Sequence, residues 1–551
     1  MAELANGSES RLPRVTLEGS ERPWDELLGA ARNEFAAALD QAIGSQRWFG
    51  AKSRKRRGLR IVEAIPLAEK ARLLLVEVQY ESGSSDVYQL PLALAEADGT
   101  GVEPSARWIE VQIPSGSLLL YDPLGQDDFA QKLLAIIASE RVIEGQAGQL
   151  AGSRTDRFEQ CRGSEKRLAA KLLGAEQSNS SITFDGRLVL KVFRRVERGL
   201  NPDLEITGYL TARGFKHIAP LAGFLEYRLR GDSSWSLAVL QKYVPNRGDA
   251  WTYYLQAVTD FVRRQISQSG AAKAEVRSSA EIPAAARAPL PQEVRETFAE
   301  FIPRVERLAE RTAELHIALS SSTHDPAFTP ESFTPADHRR CRESAAALLR
   351  EAFELLGRHL DDFKPDVRKR PEALLSAAPH FEERNASTEP PEVEVAKTRC
   401  HGDYHLGQVL VTDDDYVIID FEGEPARPLE ERRQKQLALR DVAGMLRSFH
   451  YVGCTVAASM ADHRDARNIE RITAGWYFWM SAVFVSAYRR AAAGGVFLPA
   501  TDEQFDTILS VCLLEKAAYE LKYELNHRPD WIYLPVTALG ELLRTTAAPG
   551  E

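Results

Sequence analysis

Hydrophobic and polar positions change their rhythm part-way along the chain. Short apolar runs bounded by turn residues dominate up to about Val244, and apolar residues at helical spacing dominate from Trp251 onward. In the first part a helix is expected over Asp25–Ile43, followed by a turn at Gln46–Lys52 (QRWFGAK). Strands are expected at Leu73–Tyr80 and Val87–Leu92, separated by the turn residues Ser82–Ser85. Asp127–Glu140 predicts a further helix. Ser181–Phe184 and Leu188–Phe193 predict a hairpin around Asp185-Gly186, a dipeptide suited to left-handed turn positions. Asn201-Pro202-Asp203 predicts a helix start, with a capping amide, a proline in the first turn and acids near the positive helix end. Leu237–Val244 predicts another strand. These elements divide the chain into a flexible tail (1–22), an α+β cap (23–125), a β-rich region (126–246) and a mostly helical region (247–551). The Ala-, Pro- and Ser-rich stretch Ser267–Pro291 reads as a mobile loop within the helical region.

Composition narrows the class. Of 551 residues, 44% are hydrophobic and 27% charged, which supports packed cores and excludes a disordered chain or a coiled rod. The 69 basic against 79 acidic residues leave a net charge of −10, which argues against a nucleic-acid binder. The basic stretch Lys52–Arg60 is accordingly read as a solvated loop. Five scattered cysteines form neither a CxxC pair nor a disulfide framework, and the N-terminus lacks an apolar signal core, so the cytoplasm is expected. Ile472–Tyr488 is the one membrane-span candidate. It is short and interrupted by Thr473, Ser481 and Ser486, so a buried helix is expected and no membrane contact.

The chemistry concentrates in Cys400–Glu422. A loop carrying His401-Gly402-Asp403 precedes two apolar runs, Val409–Val411 and Tyr416–Ile419, joined by an acidic turn. Such a hairpin places Gln408 before one strand and Asp420 at the end of the other. Phosphoryl transfer needs this set: a carboxylate to accept the proton of an attacking hydroxyl (Asp403), and hard oxygen ligands for Mg2+ against a triphosphate (Gln408 and Asp420). The spacing His-x-Asp-x4-amide, then Asp a dozen residues on, matches a protein-kinase catalytic loop and metal loop. Singly, Asp403 reads equally as a turn carboxylate and Asp420 as a strand-end acid facing water. An ATP site further needs an upstream cation: Lys191 lies on an apolar strand, with Glu205 on the next helix as its counter-ion. Ser178 and Asn179, in the stretch Gly174–Ser181, are candidates to cover phosphates. Gln241 and Val244 would form a hinge that binds adenine through its backbone. A snorkelling lysine at a strand edge remains the alternative for Lys191.

Several blocks resemble the signatures of bacterial maltokinases: Gln46–Lys52, Glu176–Asn179, Leu190–Arg195, His401–Gln408, Ile419–Arg427, Leu439–Leu446 and Glu515–Tyr523. The resemblance implies an α+β, bilobal, protein-kinase-like (aminoglycoside-phosphotransferase-like) fold with an added N-terminal cap domain. It implies ATP-dependent phosphorylation of maltose to maltose 1-phosphate, feeding α-glucan synthesis from trehalose, and association with a separate trehalose synthase. Asp403 matches the catalytic base, Gln408 and Asp420 the magnesium ligands, and Lys191 the phosphate-binding lysine. Lys516, Tyr519 and Tyr523 match the sugar-binding helix, although their spacing alone fits an amphipathic core helix better. Glu422 and Arg427 are candidates to face the sugar or order the metal loop, and His405 to support the catalytic loop. The rivals are the same fold acting on glucosamine or another sugar, and a non-catalytic pseudokinase partner of the synthase.

Overall fold

The computed structural model describes residues 12–545 apart from 20, 53, 97–99, 175–177, 232, 268–276, 323, 364 and 388–392. The chain divides into two compact units, Met1–Arg213 with Ala219–Pro245, and Gly214–Ile218 with Asn246–Glu551.

The first unit holds two seven-stranded sheets. One runs Arg14–Thr16, Arg107–Ile113, Gly116–Tyr121, Ser85–Glu96, Ala71–Tyr80, Arg56–Ala68, with Arg195–Val196 added to Ser85–Glu96. The other runs Val142–Glu144, Gly148–Arg154, Leu221–Leu229, Ser234–Lys242, Leu188–Phe193, Asn179–Phe184, Ala170–Leu172. The strand Ala71–Tyr80 joins their cores. Its alternation sends Leu74, Val76, Val78 and Tyr80 into a core with the Arg32–Ile43 helix, and Leu73 and Leu75 into the core of the second sheet. Thus the regions expected as separate cap and β-rich segments share one compact unit.

Some local expectations change. The tail over 1–22 gives way at Arg14: Arg14–Thr16 pairs parallel with Arg107–Ile113, and Val15 and Leu17 are buried in the cap core. Residues 1–11 lie outside the described residues. The helix expected over Asp25–Ile43 is two, Pro23–Leu28 and Arg32–Ile43, broken at Gly29. The basic stretch is no free loop from Arg56 on, because it is a strand whose Arg56 and Arg60 pair with Asp40 and Glu77. In Ser267–Pro291, residues 268–276 lie outside the described residues. Ile282–Arg287 is a helix that buries Ile282 and Ala286, so this part is held rather than mobile.

The second unit is helical apart from two two-stranded sheets. The Ala466–Ala491 helix lies at its centre, with Trp476 against Tyr254, Phe301 and Phe449. Among the described residues no helix is long and apolar enough to cross a membrane.

Candidate active site

Hairpin register sets the first part of the site. Val409–Val411 pairs antiparallel with Tyr416–Ile418, and the Ile419 amide donates to the Gln408 carbonyl (3.0 Å). Gln408 and Asp420 therefore stand beside one another at the open end of the hairpin. Asp420 adopts a left-handed backbone (φ 67°), an uncommon conformation for a residue with a side chain and one that clusters at functional sites.

The loop before the hairpin is held from three sides. His401 Nε2 lies 2.9 Å from the Ile419 carbonyl, and its Nδ1 accepts the Asp403 amide at 3.4 Å. That pair of partners places the ring proton on Nε2. Beneath the loop, buried Asp441 accepts the amides of His401 (2.8 Å) and Gly402 (3.0 Å), and its carboxylate meets His316 Nε2 at 3.1 Å. Tyr488 completes the line, 2.8 Å from His316 Nδ1. Burial raises the Asp441 pKa, but the bond and charge of His316 outweigh it and hold the carboxyl below its ordinary value. Tyr404 fixes the loop from a third direction through Thr312 (2.9 Å).

Beside the loop lies a charged pocket lined by Gly402, Tyr404, Glu424, Arg427, Glu515 and Lys516, among others. Lys516 Nζ bridges Asp403 Oδ1 (3.1 Å) and Glu424 Oε1 (2.9 Å). Glu424 Oε2 then accepts from Arg427 (2.6 Å), Arg427 reaches Glu515 (3.2 Å), and Glu515 takes two bonds from Arg440 (2.8 and 3.0 Å). Three carboxylates alternate with three cations. Burial pushes the Glu424 carboxyl up, yet Lys516 and Arg427 overcome this and hold it at about 2. Burial likewise pushes the Lys516 ammonium down, and the charges of Glu424 and Asp403 carry it above its ordinary value. Asp403 Oδ2 accepts no hydrogen bond among the described residues, and His405 Nε2 lies 3.9 Å from it. One oxygen of the carboxylate is held and the other is open.

The candidate sugar helix is Asp502–His527. Lys516 lies 5.0 Å from the centroid of the Tyr519 ring, and Tyr519 stacks with Tyr523 at 6.4 Å, so these three share a face. Tyr519 lines the pocket; Tyr523, His405 and Glu422 do not. His405 Nδ1 accepts the Gly407 amide, which supports the loop. The Glu422 carbonyl accepts from Arg432 (2.9 Å).

In the first unit, Lys191 lies on Leu188–Phe193, and its ammonium is 3.0 Å from Asp203 Oδ2. Asp203, two residues nearer the helix start than the expected Glu205, is thus a counter-ion of this lysine. Asp203 is fully buried there, its amide capped by Asn201 and its other oxygen bonded by Thr207. Asn179 opens the neighbouring strand opposite Phe193, with Ser178 exposed before it; 175–177 lie outside the described residues. Gln241 pairs with Val189 and Leu221 in Ser234–Lys242, and Val244 lies just beyond that strand.

Sequence reasoning missed Glu424, Glu515, Arg440, Asp441 and His316. The first four fall inside the blocks Ile419–Arg427, Leu439–Leu446 and Glu515–Tyr523, so alternating charges there were the available signal. His316, on the Ile302–Leu319 helix, carried none.

Residues 43–125 match the maltokinase N-terminal cap domain, and residues 170–424 match the phosphotransferase enzyme family. The chain thus joins a region like the maltokinase cap to one like the phosphotransferase family. Among curated relatives, a glucosamine kinase of Streptacidiphilus jiangxiensis is 25% identical over 82% of this chain and 90% of its own length. A glucosamine kinase of Mycolicibacterium smegmatis is 26% identical over 67% and 78%. Two solved glucosamine kinase structures share the fold. One, in complex with glucosamine, ADP and inorganic phosphate, has a TM-score of 0.55 at 21% identity, covering 92% of this chain and 98% of its own. The other, crystal form B, has a TM-score of 0.57 at 21% identity, covering 93% and 99%. The architecture is thus an α+β kinase-like fold with an N-terminal cap.

Proposed function

We propose that this chain transfers the terminal phosphoryl group of ATP to the anomeric hydroxyl of maltose, giving maltose 1-phosphate and ADP. Asp403 Oδ2 takes the hydroxyl proton while Lys516 anchors Oδ1. The sugar oxygen bonds to phosphorus as the bond from phosphorus to the ADP oxygen breaks. Lys191, steadied by Asp203, neutralises the nucleotide phosphates, with Ser178 and Asn179 above them and Gln241 to Val244 along the adenine. Gln408 and Asp420, one neutral and one anionic oxygen donor at the open end of the same hairpin, are the residues that would hold magnesium. Bound there, Mg2+ would neutralise charge on the transferring group. Positioning and charge neutralisation carry the acceleration.

The observation that carries the choice of sugar is the closed charge sequence Asp403–Lys516–Glu424–Arg427–Glu515–Arg440. Every carboxylate in it already has a cation, and the one nearest Asp403 is an ammonium. A neutral sugar can enter without displacing it, whereas a cationic amino sugar meets Lys516 first. The maltokinase-type cap supports the same reading, and with it we propose a place in cytoplasmic α-glucan synthesis from trehalose beside a separate trehalose synthase. A second reading, glucosamine as acceptor, is favoured by the curated relatives that carry that name.

The test is ADP release from Mg-ATP with maltose, glucose, glucosamine and trehalose, each product identified by mass and phosphorus NMR. Turnover with maltose giving an anomeric phosphate is expected, and Asp403→Ala should lower it about 100-fold or more with the fold intact. Preference for glucosamine overturns the sugar assignment, and silence with all sugars overturns the enzyme assignment.

A further inference from the structure

An aromatic row continues from the pocket's edge at Tyr519. From Lys516 the aromatic face continues through Tyr519 and Tyr523 to His527, whose ring lies 4.5 Å from that of Tyr523 and nearly parallel to it. Arg528 then bridges Tyr523 (5.3 Å) and Trp531 (5.2 Å), and Trp531 stacks with Tyr451 at 6.5 Å. Eleven residues of helix separate Lys516 from His527, roughly 16 Å at the rise of an α-helix. That exceeds the length of two linked hexopyranose rings. Tyr519, Tyr523 and Trp531 are half-buried, and His527 and Arg528 are exposed. Among the described residues the hydroxyls of Tyr519 and Tyr523 and the Trp531 indole N–H make no hydrogen bond. The ring faces stack largely on one another and on Arg528, so what the row offers a sugar is ring edges and unused hydroxyl and indole donors, which suit sugar hydroxyls.

We propose that this face is an extended acceptor track, so that the chain phosphorylates the reducing end of linear malto-oligosaccharides longer than maltose. The proposal rests on the maltose reading: the reducing-end ring sits at Asp403, the second ring by Tyr519 and Tyr523, and further rings run past His527 toward Trp531.

The experiment compares kcat/KM for maltose, maltotriose and maltotetraose, each with Mg-ATP, for the wild-type chain and the His527→Ala and Trp531→Ala variants. Wild type should use maltotetraose at least as well as maltose. Each variant should lower kcat/KM for maltotetraose about three- to tenfold, the range of one lost ring contact, and leave maltose within about twofold. Maltotetraose below about a tenth of maltose, or equal losses on both sugars, overturns the track. A second measurement needs no variant: inhibition of maltose turnover by methyl α-maltotetraoside against methyl α-maltoside, both blocked at the anomeric oxygen. Tighter inhibition by the longer glycoside supports the track, and equal or weaker inhibition overturns it. Turnover of maltose without the longer sugars defeats the track alone. Turnover of glucosamine without maltose defeats the maltose reading and the track with it.

Discussion

Glu424 carries more than its position suggests, because among the described residues it is the one carboxylate of the pocket that bonds both Lys516 and Arg427. Removing Asp403 leaves Lys516 its bond to Glu424, so that variant loses chemistry and keeps structure. Removing the charge of Glu424 leaves two partly buried cations facing one another across a neutral amide. Glu424→Gln should therefore cost about 3–5 kcal/mol, a thermal shift readable by calorimetry. The same residue sets an acid limit. Its carboxyl falls from an ordinary 4.5 to about 2 in the folded protein, so the unfolded chain binds the proton more readily. The stability this contributes, of order 3 kcal/mol, is complete above about pH 4.5 and is lost as pH falls toward 2. Urea midpoints of the wild type should fall across that window, and those of Glu424→Gln should fall less. Parallel slopes would show that Glu424 is not the group responsible.

At the scale of elements, the Leu439–Ser459 helix is the floor of the catalytic loop, and Gly444 is where the two meet. A Cβ at Gly444 would lie 2.5 Å from the Tyr404 carbonyl oxygen, a backbone atom that cannot swing aside. Two effects of Gly444→Ala oppose each other. Helix propensity favours alanine by about 1 kcal/mol. The clash forces the helix and loop apart, at about 1–3 kcal/mol, and moves Asp403 with the loop. Packing should win: a lower melting temperature and a kcat reduced at least about tenfold, since small misplacements of reacting groups are costly. A stabilised, fully active Gly444→Ala protein would mean the loop has room to move. The legibility of the sequence follows the same division. The 409–418 hairpin, the Asp185-Gly186 turn (φ 47° and 62°) and the Asn201 cap were readable, because a few neighbouring residues determine each one. The pairing of Asp203 with Lys191 was not legible although local, because the depth of Asp203 depends on the strands packed against that helix. The charges themselves were visible in the sequence but their pairing was not: Lys516 meets Asp403 across 113 residues and Glu424 across 92, and no local pattern records such pairings.

On the scale of the whole chain, a cap appended to a catalytic fold suggests a removable module, and the first unit contradicts that. Glu63, on a cap strand, is buried. It accepts from the Tyr227 hydroxyl (2.6 Å) and the amides of Ala64 (2.8 Å), Gln146 (2.9 Å) and Ala147 (2.8 Å), so that four donors converge on two oxygens. Burial raises its pKa, and those bonds together bring it below the ordinary value. Gln89 of the cap donates to the carbonyls of Phe193 and Leu237, and Asp122 pairs with Arg194, three residues past Lys191. Cutting the chain after residue 125 would strip the apolar side chains of Ile65, Leu73 and Leu75 from the second-sheet core and strand each of these partners. A buried unpaired group costs about 1–3 kcal/mol, and several lost together exceed the margin of an ordinary domain. The truncated chain should therefore show no cooperative melt. Glu63→Gln tests the same joint without truncation. Either orientation of the amide turns an NH2 toward two donors, so a loss of about 2–4 kcal/mol is expected from a change of a single atom. If Glu63→Gln melts like wild type and the truncated chain still unfolds cooperatively, the cap is a separable domain and its hydrogen bonds to the second sheet are incidental.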